Sequence, residues 1–305
     1  MNGIINVYKE KGFTSHDVVA KLRGILHMKK IGHTGTLDPD AVGVLPVCLG
    51  KGTGLVSMIT DWTKTYEAVM LLGTTTDTQD TSGTVLTQSA VEVDERTVLE
   101  VCSQFEGEYD QIPPMYSALK VNGKKLYELA RAGVEVERKP RRVVINSLRV
   151  NDINLEDDVK TVTITVDCSK GTYIRTLCDD IGKKLGCGAC MMSLKRTRVG
   201  AFVIDDTLTL NQIAALALKG EIEDYIVSID GMFSDYRKLT VDAVYNRLLY
   251  NGNKLPLEAI VSDGGEFLDM EKFRIYDAEG SFVGIYKYIG GQFVLEKMFY
   301  DNSDT

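Results

Sequence analysis

Residues 161–186 constrain the fold of this 305-residue chain more than any other segment. From Thr161 to Cys168 the chain alternates strictly. Val162, Ile164, Val166 and Cys168 fall on one face, and Thr161, Thr163, Thr165 and Asp167 on the other. Side chains of an extended strand point alternately to its two faces, so this segment predicts a half-buried strand. Ser169-Lys170-Gly171 turns the chain. Ile174, Leu177, Ile181 and Leu185 then recur at helical spacing until Gly186 supplies a C-cap. Strand, turn and helix in immediate succession predict a mixed α/β chain.

The remainder agrees with that reading. Thr14-Ser15-His16-Asp17 has the pattern of a capping box, and Val18, Val19, Leu22, Ile25 and Leu26 follow it at helical spacing. Gly32-His33-Thr34-Gly35-Thr36-Leu37-Asp38-Pro39-Asp40 cannot continue as regular helix, because two glycines and an Asp-Pro interrupt it. Tyr66 to Gly73 reads as a strand. From about 231–240 onward the pattern shifts to short strands at 273–276, 282–288 and 292–299, punctuated by Asp277-Ala278-Glu279-Gly280 and Gly290-Gly291 as hairpin turns. We therefore expect a mixed α/β domain over 1–236 and a small β-rich domain over 237–305.

Composition excludes several classes of protein. The chain is 44% hydrophobic and 26% charged, an ordinary globular balance. No apolar run approaches the roughly 18 residues of a membrane span. The start shows no basic region followed by an apolar core, and the six cysteines are scattered, so neither a secretory signal nor a disulfide framework is expected. A cytoplasmic protein is expected. The net charge of −8 excludes a uniformly cationic nucleic-acid binder but leaves room for a local basic groove. Residues 201–305 carry a net −9, whereas 115–149 carries nine Lys and Arg against three Glu. Such a segment suits phosphate tracking, although a solvated helix face has the same composition.

Familiar catalytic signatures are missing. Gly50-Lys51-Gly52 lacks the preceding Gly and following Ser or Thr of a phosphate loop, and Gly186-Cys187-Gly188 is followed at 191 by Met rather than Gly. Cys187 and Cys190 form a single C-x-x-C with no second pair, and no G-x-S-x-G elbow accompanies His16, His27 and His33. Taken alone, Asp38 reads as a turn residue. Asp38 with Asp40 is a weak glycosidase pair, because two loop positions fix no carboxylate separation. Tyr173 and Arg175 follow a strong strand, where loops often carry function, yet alone they read as a packed Tyr and a surface Arg.

Together the segments carry more. Gly32-His33-Thr34-Gly35-Thr36-Leu37-Asp38-Pro39 resembles the catalytic motif of the bacterial tRNA pseudouridine(55) synthases. Lys64-Thr65-Tyr66 and Gly73-Thr74-Thr75-Thr76-Asp77-Thr78 with Asp80 resemble that family's next blocks. Gln111 to Lys120, with Gly123-Lys124-Lys125-Leu126-Tyr127, is similar to its RNA-contacting insertion, here about 113–142. Cys168 to Arg175 and Leu194-Lys195-Arg196 complete the series, in family order over about residues 3–200. Glu10 replaces the usual Pro after Lys9, Val42 a common Thr, and Gly54 a frequent Lys. None of these lies at a catalytic position.

The resemblance implies a mostly antiparallel mixed sheet followed by a PUA-like RNA-binding domain. It implies an isomerase converting uridine 55 of the TΨC loop to pseudouridine by base flipping, with no cofactor and no metal. By the same resemblance Asp38 is the reacting anion, as nucleophile or as base on the sugar, and Arg175 pairs with it. Tyr66 stacks on the base, Tyr173 places a phenol near it, Leu194 supplies an apolar wall, and His33 holds the RNA or its displaced bases. Lys9, Lys120, Arg141 and Arg142 are expected to bind substrate. The expected partner is the T-arm and elbow of tRNA, engaged by a monomer with no guide RNA and no membrane. A guide-dependent subunit of the dyskerin type, which would bring terminal extensions and partner surfaces, and a non-catalytic RNA-binding protein stay open as alternatives.

Overall fold

The structure is a computed structural model that describes residues 1–121, 123–261 and 265–300, without the side chain of Lys120. The alternating segment is a strand at Thr161–Cys168, with Val162, Ile164 and Val166 fully buried. The helix runs Ile174–Leu185 and ends on Gly186, whose φ of 83° is the left-handed cap expected of it. The capping box is present too. Thr14 and Asp17 exchange hydrogen bonds at the start of the Ser15–Ile25 helix. The strand read at Tyr66–Gly73 spans Lys64–Leu72.

These elements belong to a ten-stranded sheet. Its main path runs Ile226–Val227, Gly3–Lys9, Val42–Leu49, Ala189–Val199, Lys64–Leu72, Thr161–Cys168, Arg141–Asn154 and Gly107–Gln111. Ile31–His33 and Phe202–Val203 pair alongside this path. Its pairings are antiparallel except one, where Lys195 and Arg196 meet Val42 and Gly43 in parallel. The Ile174–Leu185 helix packs its apolar stripe on the face formed by Ala68, Met70, Val162, Ile164 and Ala189. The Ser15–Ile25 helix covers Ile5, Val7, Leu45 and Val47 nearer the other edge. The catalytic-motif loop, residues 34–41, crosses between these two clusters.

A separate five-stranded sheet begins at Arg237–Thr240, and the hairpin strands lie within it at Lys272–Tyr276, Phe282–Ile289 and Gln292–Met298. Its own core holds Leu239, Phe273, Ile275, Tyr286 and Phe293. Ile285, Phe282 and Phe299 instead join Ile4, Cys48, Val199 and Phe233 in a cluster shared with the large sheet. No helix among the described residues is long and apolar enough to cross a membrane.

Candidate active site

The register of the sheet brings the sequence-predicted residues together. Tyr66 pairs with Arg196 on one side and Val166 on the other, and Leu194 lies two residues along the same face, opposite Ala68. Tyr66, Leu194 and Leu37 share one apolar cluster. Above it, Asp38 lies at the turn of the 34–41 loop with its side chain 43% exposed. Arg175, one residue past the start of its helix, has only 7% of its side chain exposed and meets Asp38 with Nε at 3.0 Å from Oδ2. Its Nη2 donates to Asp38 Oδ1 at 3.5 Å and to the Tyr116 carbonyl at 2.9 Å, and its Nη1 donates to the Thr78 carbonyl at 3.2 Å. Asp80 Oδ2 is 3.6 Å from the same Nη1. The guanidinium is thus bound on every edge, and a planar fork held this way has one orientation.

Burial raises the Asp38 carboxyl above its ordinary range, with Asp80 adding to the effect, while Arg175 and Lys9 oppose it. Asp38 thus keeps an exposed side for an incoming group while the guanidinium fixes its direction. Tyr66 is buried, which raises its phenol, and the Arg196 guanidinium beside it works the other way. Burial raises the Tyr173 phenol too, opposed by the Ser117 hydroxyl and by the charges of Arg141 and Arg175. Tyr173 is the N-cap of its helix without a capping side chain of its own. Gln111, 1% exposed, instead holds the main chain of Tyr173 itself. Its Oε1 accepts from the Tyr173 N–H at 2.8 Å and its Nε2 donates to the Tyr173 carbonyl at 3.0 Å.

The loop itself is pinned from below. Thr34 donates to the Pro46 carbonyl through its N–H and its hydroxyl, Leu37 N–H reaches the Ser15 hydroxyl at 3.0 Å, and Arg196 Nη2 reaches the Gly35 carbonyl at 3.3 Å. Lys9 corrects an expectation. Anticipated among the substrate-binding cations, it is fully buried, with Nζ donating to the carbonyls of Glu10, Pro39 and Ala41, and burial lowers its pKa to about 8. It faces the underside of the 34–41 loop rather than solvent. Arg142 is also engaged, by Glu108 at 3.1 Å and Asp110 at 3.2 Å, so its charge is largely matched. Arg141 is exposed at the start of its strand, near enough to act on Tyr173. Lys120 starts a two-residue strand, and its side chain lies outside the described residues.

His33 sits at the mouth of the loop, its ring edge-on to His16 at 5.0 Å, with its Nδ1 buried and without a hydrogen-bond partner among the described residues. Asp40 is exposed beside Lys11, with Lys11 Nζ 4.0 Å from its Oδ1, and its charge adds to the rise of the Asp38 carboxyl. Among the described residues no group of three or more His, Cys, Asp or Glu is placed to hold a metal ion, and Cys187 and Cys190 are both buried as free thiols. Two residues were present in the sequence blocks without a role. Arg196 is 1% exposed with Nε on the Val44 carbonyl, and Asp80 is the second carboxylate on Arg175. No local periodicity marks either one, because each acts across more than 90 residues of chain.

Residues 23–174 match the description of the TruB family pseudouridylate synthase N-terminal domain, and residues 175–234 match the tRNA pseudouridylate synthase B C-terminal domain. A protein named tRNA pseudouridine synthase B from Lachnoclostridium phytofermentans is 52% identical over 293 residues, covering 94% of this chain and 95% of its own. One of the same name from Clostridium perfringens is 43% identical over 299 residues, covering 98% and 99%. Among solved structures, a Cbf5-Nop10-Gar1 complex matches with a TM-score of 0.69 at 28% identity, over 99% of this chain and 86% of that one. An H/ACA RNP bound to a substrate RNA containing 2′-deoxyuridine matches with a TM-score of 0.68 at 26% identity, over 98% and 85%. Sequence likeness over nearly the whole length and a matching fold lead to one conclusion: the chain belongs to the TruB family of pseudouridylate synthases, and is an isomerase.

Proposed function

We propose that this protein isomerises uridine 55 in the TΨC loop of tRNA to pseudouridine, with Asp38 as the reacting anion and without a cofactor. The observation that carries the reading is the Asp38–Arg175 pair, with Asp38 partly exposed, beside the apolar cluster that holds Leu37, Tyr66 and Leu194. The names of the relatives support tRNA as the substrate. The target base leaves its stack and comes to lie beside that pair, at a cost of about a few kcal/mol. Tyr66 and Leu194 form the surfaces against which it lies. Ionised Asp38 acts at the sugar, either by attack on C1′ or as a base. The C1′–N1 bond breaks, the base turns, a C1′–C5 bond forms, and the proton leaving C5 is balanced by one gained at N1. Tyr173 serves the base by binding it or by relaying that proton. Formula and oxidation state are unchanged, so the reaction asks for no redox partner.

His33, Lys120, Arg141 and Arg142 hold the RNA, with Arg142 contributing less because of its carboxylate neighbours. Lys9 serves the substrate indirectly, through the loop it supports. Residues 1–236 form the catalytic unit and 237–305 a PUA-like RNA-binding unit. The protein works as a monomer in the cytoplasm on the T-arm and elbow, with no guide RNA. Incubating the chain alone with an unmodified tRNA transcript and mapping pseudouridine tests all of this. The expected product is pseudouridine at position 55 for the wild type and none for Asp38→Asn. Turnover by the variant above about one per cent of wild type would exclude the role of Asp38, since losing a reacting anion costs several powers of ten. Product that requires an added guide RNA would support the guide-dependent reading instead. On a prefolded stem-loop substrate activity should survive EDTA, and an absolute metal requirement there would overturn the cofactor-free mechanism.

A further inference from the structure

Gln79 has a φ of 63°, a left-handed conformation that a side-chain-bearing residue adopts at a cost. Such strain persists where the surroundings over-determine it, and here the side chain helps to do so. Gln79 Nε2 donates to the Asp179 carboxylate at 2.9 Å, and its Oε1 accepts from the Thr176 hydroxyl at 2.7 Å. Both partners are buried. Its carbonyl accepts from the Met191 N–H at 3.0 Å, so the main chain is fixed as well. Thr176 and Asp179 lie on the helix that carries Arg175, one and four residues beyond it. The neighbours of Gln79 face Arg175 itself, Thr78 through its carbonyl at 3.2 Å and Asp80 through Oδ2 at 3.6 Å.

We infer that Gln79 is a positioning residue, whose amide clips the 78–80 segment onto the Arg175 helix so that Thr78 and Asp80 hold one edge of the guanidinium while another aims at Asp38. The inference rests on the reading of Asp38 and Arg175 as the reacting pair. Without the amide the 78–80 segment loses its side-chain tie to the helix, and the backbone at 79 is free to leave its left-handed state. That rotation carries the acceptors on both sides of it away from Arg175. A displacement on the order of 1 Å near reacting groups costs about 10²-fold in rate.

The test compares single-turnover rates at saturating tRNA with tRNA affinity and Tm for Gln79→Gly, Gln79→Glu and the double variant Gln79→Glu/Asp179→Asn. Glycine accepts positive φ without penalty, so Gln79→Gly separates the amide from the strain. Strain relief offsets part of the two lost hydrogen bonds, so it should change Tm by only a few degrees, bind tRNA within about threefold of wild type, and lose roughly 10- to 100-fold in rate. Gln79→Glu keeps an acceptor for Thr176 but sets a carboxylate against Asp179, and should be comparably slow. The double variant restores one donor and one acceptor with their roles exchanged, and should recover to within about fivefold of wild type. A residue needed only for stability would follow Tm and give no such rescue. Rates for both single variants within about twofold of wild type, or a double variant no faster than Gln79→Glu, would overturn the inference. Failure of the wild type to form pseudouridine in tRNA would remove the functional reading, and this inference with it. Active wild type beside indifferent Gln79 variants would remove the inference alone.

Discussion

Replacing Gly43 with alanine should damage folding and catalysis through one contact. Gly43 has a φ of 108° and faces Arg196 across the parallel pairing of the large sheet. A Cβ at this position would lie 2.2 Å from the Arg196 carbonyl oxygen and 3.0 Å from its carbon and nitrogen. Ordinary van der Waals contact begins at 3.4 Å, so the strands would have to part by about 1.2 Å. All three opposing atoms are backbone, and no rotamer relieves the overlap. The left-handed conformation costs roughly 1–2 kcal/mol and the overpacking about 1–3 kcal/mol, a loss of about 2–5 kcal/mol together. For a chain of this size each kcal/mol is worth about 2–4 °C, so Tm should fall by roughly 4–20 °C. The strand being displaced carries Leu194 and Arg196, and the latter holds the Gly35 carbonyl. A shift of this size should therefore cost about 10²-fold in single-turnover rate even well below Tm. Calorimetry and a saturated single-turnover assay measure both. A Tm within about 1 °C of wild type together with a rate within about twofold would refute the reasoning, because it would mean that the strands separate freely.

Three further outcomes follow from the charges. If Asp38 is the reacting anion as proposed, it reacts ionised, and because burial raises its carboxyl the single-turnover rate should fall, as pH drops, at a value above the ~3.9 of a free aspartate. A midpoint at or below that value would contradict the burial. The stability effect has its own sign. A raised folded pKa contributes stability that is full below the unfolded value and lost as pH rises through the folded one, so at pH 7 ionised Asp38 is a burden. Asp38→Asn should accordingly raise Tm at pH 7 while abolishing turnover, and a lower Tm would show that the Arg175 pair outweighs desolvation. Arg141→Glu should weaken tRNA binding and reduce the slope of log affinity against log salt by roughly 0.7–0.9, whereas Arg142→Glu, already matched by Glu108 and Asp110, should change it by less than about half of that. Equal slopes for the two variants would mean that these carboxylates release Arg142 to the RNA.

By itself the sequence determined the local elements, because their causes are local. Alternation places the strand at Thr161–Cys168, the capping box starts the Ser15–Ile25 helix, and Gly186 ends the next one, each within a few residues of the groups responsible. The family resemblance carried by the motif blocks implies roles for Asp38, Tyr66, Tyr173 and Arg175. Tertiary structure alone decided what those residues meet. Lys9 is expected from the sequence to bind substrate, yet it lies beneath the loop, where the carbonyls of Pro39 and Ala41, some 30 residues along the chain, and of adjacent Glu10 converge on its ammonium. Arg142 reads as one of a basic run, yet a neighbouring strand sets two carboxylates beside it. Tyr66 stands against Arg196, and Gln79 against Asp179, across 130 and 100 residues of chain. Pairing and packing at that separation depend on strand order and on the space between elements, neither of which leaves a periodic mark in the sequence.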